Sequence, residues 1–199
     1  MCAEKLHTDI RREQIVQAAL SVIASDGLRG LTVQQVARRV GLAPSAIYRH
    51  FQSKDDVLNA ILALIQDRLL GNVRAVGEET VDPLVRLRHL LWRQLQLIRE
   101  TPAIPRIMFS EEVYHGHPER QATVYRIIRG YLDRVADLMR QGQQTGRIRP
   151  DVEPDTLALL FLGLIQPAAF LWHISGQGID IAAHADQAWQ VFSEAIIAR

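Results

Sequence analysis

Residues 32–54 read TVQQVARRVGLAPSAIYRHFQSK, and this stretch decides the fold of the chain. Thr32 can cap a helix, and Gln35 stands three positions further on, where a cap and its partner satisfy each other's exposed N–H groups. Apolar residues then recur at helical spacing until Gly41, a residue type at which helices commonly end. The pattern predicts a short helix that ends in a tight turn.

A second short helix is predicted directly after that turn. Pro44 suits the first turn of a helix, since the N–H group that proline lacks has no partner there. Ile47 and Phe51 are four residues apart and can anchor this helix to a core. Ser53 can cap a further helix whose first turn carries acidic residues. The order predicts a helix-turn-helix, a motif that places its second helix in the major groove of DNA; an ordinary helical hairpin with a small-residue turn is the alternative.

Residues 10–58 resemble the N-terminal DNA-binding domain of the TetR family of transcriptional regulators. The matching residues lie in the first helices, in their turns and at the start of the fourth helix: Ile15, Ala18, Ala19, Gly27, Thr32, Val33, Val36, Ala37, Gly41, Ala46, Tyr48, Phe51 and Lys54. The pair Ala43-Pro44 departs from the more usual Val-Ser. Because Ala43 lacks a capping hydroxyl, Ser45 or preorganisation by Pro44 must compensate, which leaves the individual base contacts open.

The resemblance implies that several side chains meet the sugar-phosphate backbone of DNA. Tyr48 and His50 resemble family positions that touch this backbone, and Lys54 resembles a phosphate contact. The hydroxyl of Thr32 resembles a second phosphate contact. Contacts of this kind set the register of a protein on the duplex but carry little sequence information.

Three residues of the second short helix are candidates for contacts with base edges, namely Ser45, Ala46 and Arg49. Arg49 can contact guanine through two hydrogen bonds or can contact only a phosphate, and the sequence leaves both open. The full predicted DNA-binding set is Thr32, Pro44, Ser45, Ala46, Tyr48, Arg49, His50 and Lys54.

Charge is distributed unevenly along the chain. The 199 residues are 48% apolar and carry a net charge of +1, which by itself does not indicate a nucleic-acid partner. Residues 1–54, however, hold eight Lys and Arg against four Asp and Glu, a local excess of +4 in the region that would face phosphates. A solvated helix face carries such charges too. We expect a DNA-binding domain over residues 1–54 and a second domain over residues 55–199.

The rest of the chain is predicted to be helical. Apolar residues at three- and four-residue spacing predict helices over about 9–25, 54–77, 83–99, 103–113, 119–144, 155–175 and 181–197, and no stretch alternates as a strand does. The expected fold is therefore all-α. An N-terminal three-helix helix-turn-helix domain precedes a C-terminal helical domain for ligand binding and dimerisation.

The last two predicted helices are apolar on more than one face. One face of such a helix can pack inside the chain while another packs against a second copy. We expect a homodimer through a four-helix interface, which the resemblance also implies, and hence a roughly palindromic operator. The alternative is that these helices only cover the chain's own core. The predicted interface residues are Leu157, Leu160, Phe161, Leu164, Ala185, Trp189 and Phe192.

The resemblance implies a small-molecule pocket among the helices of residues 83–175. Large apolar groups with a few polar ones are what such a site needs. The candidates are Trp92, Gln96, Met108, Phe109, Tyr125, Gln166, Phe170 and His173. Each can also be a core residue. Gln166 and His173 are favoured because a polar group among Leu, Ile and Phe needs a partner, and Pro167 would loosen the helix beside them.

These observations predict a ligand-responsive transcriptional regulator. We expect a repressor that binds a palindromic double-stranded DNA operator as a homodimer and is released by a small, largely apolar effector, with no cofactor. The helix that begins after Ser53 would transmit the change, since it would touch both domains. The alternative is a helical DNA-binding protein controlled by a protein partner or by a metal.

An enzyme is not expected. Cys2 is terminal and has no obvious base beside it. Four residues that are close in sequence could suggest a metal or acid–base site, namely Glu111, Glu112, His115 and His117. They lie at a predicted helix end and in a loop, without an HExxH motif.

A cytoplasmic protein without a membrane segment is expected. No Asp, Glu, Lys or Arg occurs over residues 156–179, but the strongly apolar part covers only residues 157–172, and a spanning helix needs about 20 apolar residues. The N-terminus lacks the apolar segment of a signal peptide, and the single cysteine excludes an intrachain disulfide.

Overall fold

The structure, a computed structural model, describes residues 2–198, with the backbone alone for residues 2–7. Within these residues it contains ten helices and no β-strand. In chain order they are α1 (Cys2–Asp26), α2 (Val33–Val40), α3 (Pro44–Tyr48), α4 (Lys54–Glu79), α5 (Pro83–Glu100), α6 (Ala103–Met108), α7 (Glu111–Tyr114), α8 (Pro118–Gln144), α9 (Pro154–Ile174) and α10 (Ile181–Ile196). One isolated antiparallel bridge pairs Ile148 with Ile197. The all-α fold expected from the sequence is confirmed.

The chain forms two compact units. The first comprises Met1–Ile65 and Thr101–Ala122, and the second comprises Gln66–Glu100 and Thr123–Arg199. The division falls inside α4 and α8 and assigns α6 and α7 to the same unit as the helix-turn-helix. The predicted functional boundary after residue 54 stays a prediction, and the packing divides the chain elsewhere.

The core of the first unit is built from the apolar faces of short and long helices together. Its fully buried side chains include Ile15 and Ile23 of α1, Ile47 of α3 and Phe51 directly after α3. Burial of side chains of this size is worth about 1.5–3 kcal/mol each. A helix of five residues such as α3 has too few internal hydrogen bonds to persist alone, so these anchors hold it in place.

The segment predicted as one helix over residues 103–113 is broken into α6 and α7 at Phe109–Ser110. Ile107 and Val113 are both buried. On a continuous helix, residues six apart point about 120° away from each other, so both could not face one core. The break at Ser110, which has extended backbone angles, allows both side chains to be buried. Two other predictions differ in extent. Helix α1, expected from about residue 9, begins at Cys2, and α3 ends at Tyr48, before the Phe51 that was expected to anchor it.

The core of the second unit is a continuous apolar cluster. Its fully buried members from α5, α8, α9 and α10 include Leu87, Leu91, Leu95, Val135, Met139, Phe161 and Ala185. Where α4 ends, Arg86 donates hydrogen bonds to the carbonyl oxygens of Gly77 and Thr80. A cation at this end of a helix meets the negative end of its dipole.

Helix α9 is long and apolar enough to cross a membrane by length and composition alone. Its buried side chains nevertheless pack within the second unit: Leu157, Ala158, Phe161, Ile165, Ala168, Ala169 and Trp172. A core helix with this composition passes the same test, and packing accounts for the apolar residues on the inner side of α9.

Candidate nucleic-acid interface and effector site

The turn between α2 and α3 follows the pattern expected from the sequence. Thr32 caps α2, because its Oγ1 accepts a hydrogen bond of 3.2 Å from the N–H of Gln35. Gly41 ends α2 with φ +75°, in the left-handed region that favours glycine. The next N–H, that of Leu42, donates to the carbonyl of Ala37 at 2.9 Å. These bonds fix the angle at which the chain enters α3.

Helix α3 begins without a side-chain cap. Ala43 has extended backbone angles and contributes no capping hydrogen bond, and Pro44 occupies the first turn. Ile47 and Phe51 point into the core, as predicted, with 0% and 2% exposure. The solvent-facing side of α3 is thereby fixed by the two anchors.

Most of the predicted DNA-binding residues lie on the surface of the first unit. Exposed members are Thr32, Pro44, Ser45, Tyr48, Arg49 and Lys54, and half-buried members are Ala46 and His50. The ammonium of Lys54 donates to the carbonyl of Leu28 at 3.1 Å, so this lysine already bridges two segments of the unit. The surface of α3 carries a hydroxyl and a phenol, and the residue that follows it, Arg49, adds a guanidinium. These are groups that bind phosphates and base edges.

Arg12 of α1 holds the C-terminal end of α3, a contact that sequence reasoning missed. Its Cζ lies 4.3 Å from the ring centroid of Phe51, and its Nη1 donates to the backbone carbonyl of His50. A cation over an aromatic face is attracted by the ring quadrupole. No motif within residues 32–54 shows this contact, because the partner comes from a helix 38 residues earlier.

The environment of His50 disfavours its charged form. Partial burial lowers the pKa of His50 below its ordinary value of 6.5, and the positive charges of Arg12, Arg11 and Arg49 lower it further. His50 is therefore mainly neutral at pH 7 in the free protein. The same three arginines make this part of the surface positive, which suits a polyanion.

The segment formed by α6, α7 and the start of α8 is fastened to the helix-turn-helix unit by three polar contacts. Arg106 of α6 donates to the carbonyl of Ile23 near the end of α1 at 3.2 Å. Arg29 pairs with Glu112 at 2.6 Å. The third pair joins the buried Arg120 of α8 to a carboxylate in the first turn of α4, that of Asp55, at 2.7 Å.

The sequence suggested a metal site at the end of α7 and the loop that follows. Glu112 is instead engaged by Arg29. Among the residues that the structure describes, no group of three or more His, Cys, Asp and Glu side chains could hold a metal ion.

The predicted effector-binding residues are divided between the units. Met108 and Phe109 belong to the first unit, whereas the other six belong to the second. Three of those six, Gln96, Tyr125 and Phe170, are exposed, and Tyr125 is 67% exposed. Trp92, Gln166 and His173 are half-buried. Because a pocket has to enclose its ligand, the exposure of Gln96, Tyr125 and Phe170 argues against a place for them in the candidate site.

A buried polar cluster of the second unit went unnoticed at the sequence level. Gln94 of α5 and Tyr131 of α8 are 2% and 3% exposed. Gln94 Nε2 and Tyr131 Oη have no hydrogen-bond partner among the described residues. A signal was present, because Gln94 stands three residues after Leu91 and seven after Leu87, on the buried stripe of α5.

The predicted dimer interface also needs revision. Four of its residues, Leu157, Phe161, Ala185 and Phe192, are buried inside the second unit of one chain, and Leu164 and Trp189 are partly buried. A side chain enclosed in its own core has no surface to offer a partner. Only Leu160, at 56%, is exposed. It belongs to a set of exposed apolar side chains on α9 and α10, which we call the α9 face: Leu159, Leu160, Leu171, Ile174 and Val191.

Two models of known protein families match this chain. Residues 15–61 match the family described as "Bacterial regulatory proteins, tetR family", and residues 80–195 match the "Tetracyclin repressor-like, C-terminal domain". The chain belongs to the TetR family of transcriptional regulators. The resemblance seen in the sequence is confirmed, and residues 15–61 carry the helix-turn-helix of this TetR-family regulator.

The chain is also similar to individual proteins. The nucleoid occlusion factor SlmA of Edwardsiella ictaluri is 29% identical over 149 residues, which are 74% of this chain and 73% of that protein. A protein of Saccharomonospora viridis solved with choline shares the fold with a TM-score of 0.82 and 24% identity, over 96% of this chain and 100% of that one. FadR of Bacillus subtilis, solved with stearoyl-CoA, has a TM-score of 0.78 and 21% identity, over 92% and 98%.

Proposed function

We propose that this TetR-family regulator is a repressor that binds a palindromic operator as a homodimer and leaves it when a small effector binds in the second unit. The observation that carries the proposal is the outward face of α3 and its C-cap, where Ser45, Tyr48 and the capping Arg49 are exposed while Ile47 is fully buried. An anchored helix with a polar outer face is the part of such a motif that enters a major groove.

The DNA contacts divide into two kinds. Tyr48, His50, Lys54 and the hydroxyl of Thr32 are proposed to bind phosphates and set the register. Ser45 and Arg49 are proposed to reach base edges, since a guanidinium matches the two acceptors of guanine.

The homodimer is proposed to form through the α9 face. These side chains are apolar, exposed and carried by the last two helices, and a two-fold axis would place the same face of both chains in contact. The dimer would present two α3 helices to successive major grooves, which accounts for a palindromic site.

The effector is proposed to be a small molecule bound in the core of the second unit. Structures that share this fold were solved with stearoyl-CoA and with choline, which supports small-molecule control here. Helix α4 runs without a break from the capping residue Ser53 to Glu79, so a change at its second half can reach its first. The effector must bind the DNA-free state more tightly for this coupling to operate.

Selection of bound DNA from a random pool tests the operator half of the proposal. We expect an enriched palindrome whose half-sites are spaced by about one helical turn. In fluorescence anisotropy, Arg49→Ala should relax preference at one position of each half-site. Arg134→Ala, which removes an exposed arginine of the second unit, is the matched control and should bind normally. Selection of no common sequence would contradict sequence-specific binding.

Sedimentation of two charge variants tests the dimer. Leu160→Glu should shift the protein to the monomer and weaken operator binding, because a carboxylate would be buried without a partner at the interface. Val81→Glu introduces the same charge at a position that is 88% exposed and outside the α9 face. If both variants remain dimeric, the α9 face is not the interface.

A further inference from the structure

Gln94 and Tyr131 form a polar pair inside the apolar core of the second unit. They lie on α5 and α8, and both are at least 97% buried. Asn72 of α4 approaches the same place, with its Nδ2 3.5 Å from Gln94 Oε1. Three helices therefore direct polar groups toward one point among leucine and valine side chains.

This pair has hydrogen-bonding capacity that the protein does not use. Neither Gln94 Nε2 nor Tyr131 Oη completes a well-formed hydrogen bond with a described residue, although the Gln94 amide lies close enough to Tyr131 to act on its pKa. Burial without a partner leaves the loss of hydration uncompensated, so buried polar groups almost always have a partner in the functional state of a protein. A bound molecule that reaches both atoms would supply it.

The surroundings specify the charge of that molecule. Among the described residues, the buried polar or charged ones are Gln94, Thr101 and Arg120, and the last two belong to the first unit. Within the described part of the second unit, no buried charged side chain is available to neutralise an ion. A carboxylate or an ammonium group placed beside Gln94 would lose its hydration without gaining a counter-ion.

The two atoms also specify hydrogen-bonding character. Gln94 Nε2 is a donor, and the Tyr131 hydroxyl donates one hydrogen bond and accepts others. Burial raises the pKa of Tyr131 above its ordinary value, an effect that the adjacent Gln94 amide partly offsets, so the phenol stays protonated at neutral pH. A carbonyl, amide or alcohol oxygen can accept from both donors at once.

We propose that Gln94 and Tyr131 anchor the effector, and that the effector carries an uncharged oxygen-containing head group, an amide, carbonyl or alcohol, on an apolar body. The inference rests on the proposed function, since the ligand is the effector of the repressor. It adds the chemical class of the ligand and the residues that recognise it. The apolar body would lie against the leucines of α5 beside Gln94.

A matched series of eight-carbon probes tests the head group. Octanamide, 1-octanol, octanoate and octylamine share one apolar body, and at pH 7 the last two are charged. Titration calorimetry and thermal shift should show binding of octanamide and octanol, with at least tenfold weaker binding of both charged probes. Tighter binding of either charged probe, or binding of none of the four, overturns the proposal.

Two single-atom changes test the anchor. Tyr131→Phe removes the buried hydroxyl and should weaken octanamide binding at least fivefold, while Tyr125→Phe makes the same change on the surface of α8 and should have no effect. Without ligand, Tyr131→Phe should melt at the same or a higher temperature, because the hydroxyl it removes has no partner. A lower melting temperature together with unchanged octanamide binding shows a purely structural pair and overturns the proposal.

A second variant guards against a fold defect. Gln94→Met keeps the length of the side chain and should also weaken octanamide binding while circular dichroism stays unchanged. Operator binding separates the two proposals. If octanamide binding depends on Tyr131 but does not change operator affinity, the anchor is supported and effector control is rejected. If octanamide releases the operator equally from wild type and from Tyr131→Phe, effector control is supported and the anchor is rejected.

Discussion

The guanidinium of Arg12 lies over the ring of Phe51, with Cζ 4.3 Å from the ring centroid. The same group donates to the backbone carbonyl of His50. Arg12 thus stacks on the apolar anchor that follows α3 and binds the backbone at the end of that helix. One side chain from α1 fixes the position of the recognition helix without belonging to the helix-turn-helix.

Arg12→Met should weaken operator binding several-fold and lower the free energy of unfolding by about 0.5–1 kcal/mol, the usual worth of an exposed cation–π contact. Methionine retains a long apolar stem but loses the charge and the hydrogen bond. Fluorescence anisotropy and urea unfolding measure the two effects.

Arg12→Lys separates positioning from charge. Lysine keeps the positive charge but lacks the planar group that stacks on a ring, so it should rescue operator binding only in part. Arg12 would instead be a phosphate contact if lysine restored operator affinity completely and if the salt dependence of operator affinity in Arg12→Met fell by the amount expected for one phosphate contact.

The operator affinity should depend on pH through His50. The pKa of His50 is below 6.5 in the free protein, because of partial burial and the three nearby arginines. A phosphate beside the ring would raise this pKa in the complex, so DNA binding would take up a proton. Affinity measured at constant ionic strength should therefore rise as the pH falls from about 7 to about 5.5, the range in which histidine titrates. His50→Gln should abolish this rise.

Stability should change in the opposite direction over the same range. Since the folded pKa of His50 is lowered, the unfolded chain binds more protons. The stability that neutral His50 contributes is complete above pH 6.5 and is lost as the pH falls through the lower, folded value. The free energies of unfolding of wild type and His50→Gln, measured in urea, should diverge below pH 6.5.

The phosphate contact of His50 would be contradicted if operator affinity fell on acidification in wild type but not in His50→Gln.

Two glycines of α8 should respond to alanine with opposite signs. A Cβ at Gly142 would meet the buried Ile148, at 2.7 Å from its Cγ1 and 3.2 Å from its Cβ, whereas a Cβ at Gly130 would meet nothing within 4 Å. Gly142→Ala should destabilise by about 1–3 kcal/mol through overpacking. Gly130→Ala should stabilise by about 0.5–1 kcal/mol, the ordinary gain within a helix. Thermal unfolding of both variants checks the contrast, and a stabilised Gly142→Ala would show that Ile148 can move aside.

A missing cap on α3 should be open to repair. Ala43 has extended backbone angles suited to a capping residue but has no side-chain oxygen. Ala43→Ser should raise the free energy of unfolding by about 1 kcal/mol through a hydrogen bond to a free N–H of the first turn. Ala43→Val, which lacks an oxygen, is the control. If Ala43→Ser were no more stable than wild type, preorganisation by Pro44 alone would be sufficient for the N-terminus of α3.

The sequence was most informative where structure depends on neighbours in the chain. The cap at Thr32, the left-handed Gly41 and the buried Ile47 and Phe51 all follow from spacing within about 20 residues, and the structure contains each of them. The break between α6 and α7 could not be seen, because it depends on which core Ile107 and Val113 share.

The effector site and the interface were harder to predict for a related reason. Gln94 and Gln96 are the same residue type, and only the spacing of Gln94 from Leu87 and Leu91 places it on the buried side of α5. Likewise, the sequence shows that α9 is apolar on several sides but not which side faces inward. Leu157 turned out to be core and Leu160 surface, although both were expected at an interface.

The first unit is assembled from two separate pieces of sequence, with Thr101–Ala122 packed beside the N-terminal helices. Natural or engineered recombination that exchanges only the first 54 residues between regulators would replace Arg29, the partner of Glu112, and the part of α1 whose Ile23 carbonyl accepts from Arg106. Functional hybrids of this protein should therefore need both pieces from the same parent. New operator specificities are more accessible through point changes on α3 than through exchange of the whole N-terminal segment.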